Sequence, residues 1–159
     1  MLKLHKIIAS GLGTGYSPIA PGTAGSILGI IILYTANFIL NSLGCTFEII
    51  TIINLLAIIL MILIGVYSIK IVHKKWKHDA SEIVIDEIVG VWISVLAMPF
   101  QWQYYLYALL LFRFFDIAKP LFIRRLDKMR GDWSVMLDDV LAGVYSLIVI
   151  QTLYYFKII

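Results

Sequence analysis

The chain has 159 residues, of which 61% are hydrophobic and only 14% charged, against roughly 45–50% apolar and about 25% charged in an ordinary soluble domain. With a mean hydropathy of +0.93, that balance excludes a typical water-soluble domain. The lack of low-complexity or densely charged stretches excludes a disordered chain and a nucleic-acid partner. The net charge is +3 and Cys45 is the only cysteine, which leaves no disulfide framework and no zinc site built from several thiolates.

About 20 uncharged apolar residues cross the hydrocarbon of a bilayer as a helix. Residues 24–43 and 49–69 are two such runs, each free of Asp, Glu, Lys, Arg and His. A longer apolar stretch, 83–115, holds Asp86 and Glu87 near its start and Arg113 near its end. Pro99-Phe100-Gln101-Trp102-Gln103 forms a polar break in its middle. A last run, 140–156, is just long enough to span.

Lys70, Lys74, Lys75 and Lys77 precede the long stretch, and Arg113, Lys119, Arg124, Arg125, Lys128 and Arg130 close or follow it. Short loops rich in Lys and Arg stay in the cytoplasm, so both flanks belong there and the stretch crosses an even number of times. Two short helices joined at 99–103 satisfy this, since a residue before proline disfavours helix. The expected architecture is therefore all-α: a small polytopic membrane bundle of about five embedded helices, with a short hairpin around 99–103 and one domain over residues 1–159.

Lys3 and Lys6 put the segment before the first span on the cytoplasmic side as well, while the outer loops 44–48 and 99–103 hold no Lys or Arg. Trp102, Tyr104, Tyr105, Tyr154 and Tyr155 fall at the outer ends, and Trp76 and Trp133 at the inner side. They form either aromatic belts or ordinary packing. The apolar run after Lys6 ends at Gly11, too short for a secretory signal.

Half of the ten acidic residues lie at the ends of apolar runs: Asp86, Glu87, Asp116, Asp138 and Asp139. The topology sets all five at one depth, the cytoplasmic boundary, where carboxylates are costly unless paired or bound to a cation. Asp86, Glu87, Asp138 and Asp139 also suit helix starts, where the macrodipole favours an anion; Asp116 ends a helix, where it does not. A hard divalent cation resolves the crowding of five carboxylates better than scattered lysines, which points to Mg²⁺. His5, His73 and His78 lack helical spacing to the acids, so zinc is not expected.

Before the first span runs Gly11-Leu12-Gly13-Thr14-Gly15-Tyr16-Ser17-Pro18-Ile19-Ala20-Pro21-Gly22-Thr23-Ala24-Gly25. No strand precedes it, so a dinucleotide fingerprint is excluded. It reads as a flexible loop entering a helix near Pro21. Gly22, Thr23 and Gly25 then serve either as backbone donors to an anion or as small residues that let helices approach. Arg113 and Lys119 bracket Asp116 and suit a phosphate. Arg124, Arg125, Lys128 and Arg130 suit topology or anionic headgroups. Carboxylates, a divalent cation, an anion loop and cations at membrane depth point to phosphoryl chemistry on a lipid. Cys45, on the outer side, does not look like its nucleophile, so metal-activated water is the simplest attacking group.

Four blocks in order resemble the phosphatidylglycerophosphatase A family: Ala20-Pro21-Gly22-Thr23-Ala24-Gly25 within 11–25, then Asp86-Glu87-Ile88-Val89-Gly90. Phe112-Arg113-Phe114-Phe115-Asp116-Ile117-Ala118-Lys119-Pro120 and Met136-Leu137-Asp138-Asp139-Val140-Leu141-Ala142-Gly143 complete them. The resemblance implies a multi-pass enzyme of the bacterial inner membrane, its site facing the cytoplasm, that removes the terminal phosphate of phosphatidylglycerophosphate with Mg²⁺. Asp86, Glu87, Asp138 and Asp139 would then hold metal, with Asp116, Arg113 and Lys119 catalytic and Gly22, Thr23 and Gly25 at the phosphate. Residues 129–134 depart from the pattern in having a single glycine, Gly131. The competing readings are a phosphatidyltransferase, whose spaced Asp and Gly pattern is missing, and a small carboxylate-lined transporter.

Overall fold

The computed structural model describes residues 2–76, 80–129 and 131–159. Lys77, His78 and Arg130 lie outside it. Three quarters of the described residues are helical, with no strands among them. The seven α-helices are α1 (Leu2–Ala9), α2 (Pro21–Ser42), α3 (Phe47–Val72), α4 (Ile85–Ser94), α5 (Trp102–Ala118), α6 (Ile123–Asp127) and α7 (Asp132–Tyr155).

Among the described residues three helices, α2, α3 and α7, are long and apolar enough to cross a membrane. Pro21 starts α2, at a position where a missing N–H costs nothing. Gly44, at φ +78°, turns the chain between α2 and α3. The N-cap of α3 is Thr46, whose hydroxyl accepts from the Ile49 N–H at 3.5 Å. Ile52, Leu56, Ile59 and Leu63 lie exposed along α3 at helical spacing, a stripe that only hydrocarbon would solvate well.

The stretch 83–115 does form a hairpin of two helices. Ten residues make α4 about 15 Å long, half of a hydrocarbon core of about 30 Å. It is the innermost helix, with nine of those ten residues buried. The irregular turn after it is tolerable at membrane depth because protein surrounds it: Val95 and Met98 are buried, and Trp92 Nε1 donates to the Gly29 carbonyl of α2 at 2.8 Å. Helix α5 returns the chain to the end from which α4 started.

Glycine sets how closely α4 and α7 approach. A Cβ on Gly143 would strike the Gly90 carbonyl oxygen, and one on Gly90 would strike the Phe112 ring and lie 2.8 Å from the Asp139 carbonyl oxygen. Phe112 is fully buried where α4, α5 and α7 meet.

Two expectations are corrected, on the last span and on the glycine-rich loop. The last span begins at Asp132 and not near 138–140, because Val135 and Met136 are buried against protein; a count of lipid-facing apolar residues passes over them. The segment before the first span is itself a helix, α1, held against α3 by the 3.1 Å contact of His5 Nδ1 with Ser68 Oγ. The glycine-rich loop is not slack but tightly folded: Thr14–Tyr16 form a 3₁₀ turn, and Gly15 packs against the Glu82 backbone. Of the aromatic residues, Trp102, Trp133, Tyr154 and Tyr155 are exposed. Tyr104 and Tyr105 are buried, Tyr104 edge-on to Tyr154 and Tyr105 bonded to Asn37 Nδ2 at 2.8 Å.

Candidate active site

One end of the bundle collects the helix termini that carry the acids. Asp86 and Glu87 lie in the first turn of α4, and Asp116 in the last turn of α5. The sequence suggested that Asp138 and Asp139 begin their helix; they lie instead about two turns into α7. The macrodipole effect fades within the first turn, so it gives these two aspartates no account. All five line one cleft of about 250 Å³, together with Gly22, Arg113 and Lys119.

The acids divide into pairs and a remainder. Arg113 Nη1 lies 2.6 Å from Asp116 Oδ2, one turn along α5. The Lys119 ammonium donates to Asp138 Oδ2 at 2.9 Å and also to Asp127 of α6. Asp86, Glu87 and Asp139 remain, each with one oxygen within 4.8 Å of the others. No lysine or arginine among the described residues forms an ion pair with any of them. Asp86 and Asp139 are buried, 6% and 4% exposed.

Three carboxylates so close, two of them buried, repel one another strongly without a positive charge between them. Glu87 Oε2 is, moreover, buried with no hydrogen-bond partner among the described residues. An all-oxygen set of this kind fits a hard divalent cation such as Mg²⁺. No histidine or cysteine belongs to it, as a zinc site would require. His73 Nδ1 instead contacts Asp132 Oδ1 at 2.6 Å.

Lys119 is the C-cap of α5, in the left-handed region at φ +43°. Burial alone would lower its pKa, but the hydrogen bonds it donates to Asp127 and Asp138 outweigh that and hold it above the ordinary lysine value.

The glycine loop contributes unevenly. Gly22 lines the cleft, where a Cβ would strike Glu87 Oε1 and come within 3.1 Å of Arg113 Nη1. Gly25 faces Val84, the N-cap of α4, at 2.7 Å from its would-be Cβ, and so serves helix approach. Thr23 is not part of the cleft lining. Arg124, Arg125 and Lys128 are exposed and outside the cleft. Sequence reasoning missed Asp127, which lies within a basic run, and Ala80, Ser81 and Val135 of the cleft wall. No residue pattern flags these positions; helix packing brings them in.

A family model described as phosphatidylglycerophosphatase A matches residues 7–154. A Bacteroides thetaiotaomicron protein named "putative phosphatidylinositol-3-phosphatase" is 42% identical over 92% of this chain and 91% of its own. Proteins named phosphatidylglycerophosphatase A are similar too. That of Haemophilus influenzae is 39% identical over 96% of this chain and 90% of its own, and that of Escherichia coli 37% over 88% and 77%. No solved structure matches. With the match running from α1 to the end of α7 and through every cleft helix, the chain belongs to the phosphatidylglycerophosphatase A family and is a phosphatase.

Proposed function

We propose that the protein hydrolyses phosphatidylglycerophosphate to phosphatidylglycerol and inorganic phosphate, with Mg²⁺, at the cytoplasmic face of a bacterial inner membrane. The observation that carries this reading is the grouping of Asp86, Glu87 and Asp139 without a cation, in one cleft with Arg113 and Lys119. Orientation follows from charge: of the described lysines and arginines, Lys157 alone lies at the opposite end of the bundle, and Lys and Arg mark the cytoplasmic side. A transporter is disfavoured because its site would lie near the midplane, whereas these acids share one end.

Asp86, Glu87 and Asp139 would hold the metal, with Asp138 kept by Lys119 rather than joining them. Bound there, Mg²⁺ would neutralise phosphoryl oxygens and lower the pKa of a water. Arg113 and Lys119 grip the phosphate and stabilise the charge spread over its equatorial oxygens. The backbone around Gly22, at the start of α2, presents N–H groups to the same anion. Asp116 Oδ2 is taken by Arg113, which leaves Oδ1 to accept a proton from the attacking water. As the water oxygen bonds to phosphorus, the P–O bond to the glycerol breaks, and the proton taken by Asp116 passes to the leaving oxygen.

The test is phosphate release from phosphatidylglycerophosphate in detergent by the purified protein. Activity is expected with Mg²⁺, to disappear with EDTA and to return on adding Mg²⁺; unchanged activity in EDTA overturns the metal assignment. Because a relative carries a phosphatidylinositol-3-phosphatase name, phosphatidylinositol 3-phosphate is the second substrate to assay. Faster release from it would replace the headgroup assignment.

Gly22→Ala tests the loop. The added methyl displaces the Glu87 carboxylate or the Arg113 guanidinium, and a 1 Å misplacement at an active site can cost about 100-fold. A ten- to hundred-fold loss of phosphate release is expected with little change in unfolding temperature. Wild-type rates would show that the cleft does not need this close approach.

A further inference from the structure

We propose that Asp127 is a positioning residue, which shares the Lys119 ammonium with Asp138 and so keeps that ammonium at the mouth of the cleft for a substrate phosphate. The inference rests on the phosphatase reading above. An ammonium has three donors and no acceptor. Here two carboxylates take two of them, leaving the third for a phosphate oxygen.

The two partners differ in depth. The Asp138 side chain is 10% exposed and that of Asp127 33%, with Lys119 between them at 27%. Asp138 alone would draw the lysine inward into a single pair beside the metal-site acids, since Asp138 Oδ1 is buried and has no hydrogen-bond partner. Asp127 opposes that pull from the outside. Its own place is fixed by Ile123, which is fully buried and seats α6 in the core. The five-residue α6 thus anchors a carboxylate at a set position, in a segment that otherwise presents exposed Arg124, Arg125 and Lys128.

The test compares Asp127→Asn, Asp127→Glu, Lys119→Ala and the Asp127→Asn/Lys119→Ala double variant. Each is assayed for kcat and KM on phosphatidylglycerophosphate, unfolding temperature in detergent, and the rise in that temperature with inorganic phosphate in the presence of Mg²⁺. Asp127→Asn should raise KM, and the phosphate concentration needed for the thermal rise, by about tenfold, or about 1.4 kcal/mol of binding. The unfolding temperature without phosphate should hold. Asp127→Glu should recover most of the loss, and in the Lys119→Ala background Asp127→Asn should add nothing, because the two act through one contact.

Binding within twofold of wild type in Asp127→Asn overturns the proposal, as does an equal loss in the Lys119→Ala background. The phosphate-binding measurement needs no turnover. A wild-type protein that binds phosphate but releases none from the lipid would therefore fail the substrate reading while leaving this one to be judged on its own variants.

Discussion

Asp139→Asn is expected to lower phosphate release by about 10²–10³-fold, the usual cost of removing one group that stabilises transition-state charge, while leaving the fold at least as stable. Asp139 is buried, and one of its oxygens lies within 4.8 Å of oxygens on Asp86 and Glu87. Asparagine keeps the shape and removes one of three mutually repelling charges, so the metal-free protein should unfold at the same temperature or higher. A ligand that binds only the folded state stabilises it in proportion to its affinity. Mg²⁺ should therefore raise the unfolding temperature of the wild type and raise that of Asp139→Asn much less. Loss of activity with an undiminished Mg²⁺ effect would place the metal elsewhere. Retention of both would remove Asp139 from the site.

The second large effect lies away from the acids. Gly143→Ala puts a methyl group on the Gly90 carbonyl oxygen and within 3.1 Å of Ile93 Cβ. The obstacle is backbone on a buried helix, which cannot rotate aside as a side chain can, so the helices must separate. Overpacking of this kind typically costs about 1–3 kcal/mol. The consequence for activity is indirect but large, because α4 carries Asp86 and Glu87 while α7 carries Asp138 and Asp139. Spreading the α4–α7 contact pulls apart the carboxylates that must converge, and about 1 Å of displacement suffices for a hundred-fold loss. Unfolding temperature and phosphate release should fall together, and Asp139→Asn should separate from Gly143→Ala by keeping the first while losing the second. If Gly143→Ala changed neither quantity, the close α4–α7 approach would have no part in assembling the site.

Much of the architecture is legible in the order of the residues. Charge-free runs mark α2 and α3, and Lys and Arg on both sides of 83–115 require the hairpin of α4 and α5, because a membrane tolerates neither a buried cation nor an odd crossing between two cytoplasmic flanks. The start of α7 escapes this logic. Its first turns put Val135 and Met136 into protein rather than lipid, and hydropathy reads only what lipid must solvate. The short α1 escapes for a related reason: it docks on α3 through contacts such as His5 with Ser68 instead of crossing the membrane.

The same division runs through the site. The sequence alone determined that Asp86, Glu87, Asp116, Asp138 and Asp139 share one end of the bundle with Arg113 and Lys119, since helix order and charge placement dictate depth. Only the tertiary structure decided which of them lie together. Asp138 and Asp139 are neighbours in the chain, but successive helix residues point about 100° apart. Asp139 therefore turns toward Asp86 and Glu87 of α4, while Asp138 turns toward Lys119 of α5. Asp127 reaches the same lysine from α6, eight residues along the chain. Depth is a property of composition along one axis. Grouping depends on the azimuth of each side chain and on how closely glycines such as Gly90 and Gly143 let the helices approach, and neither is set until the helices pack.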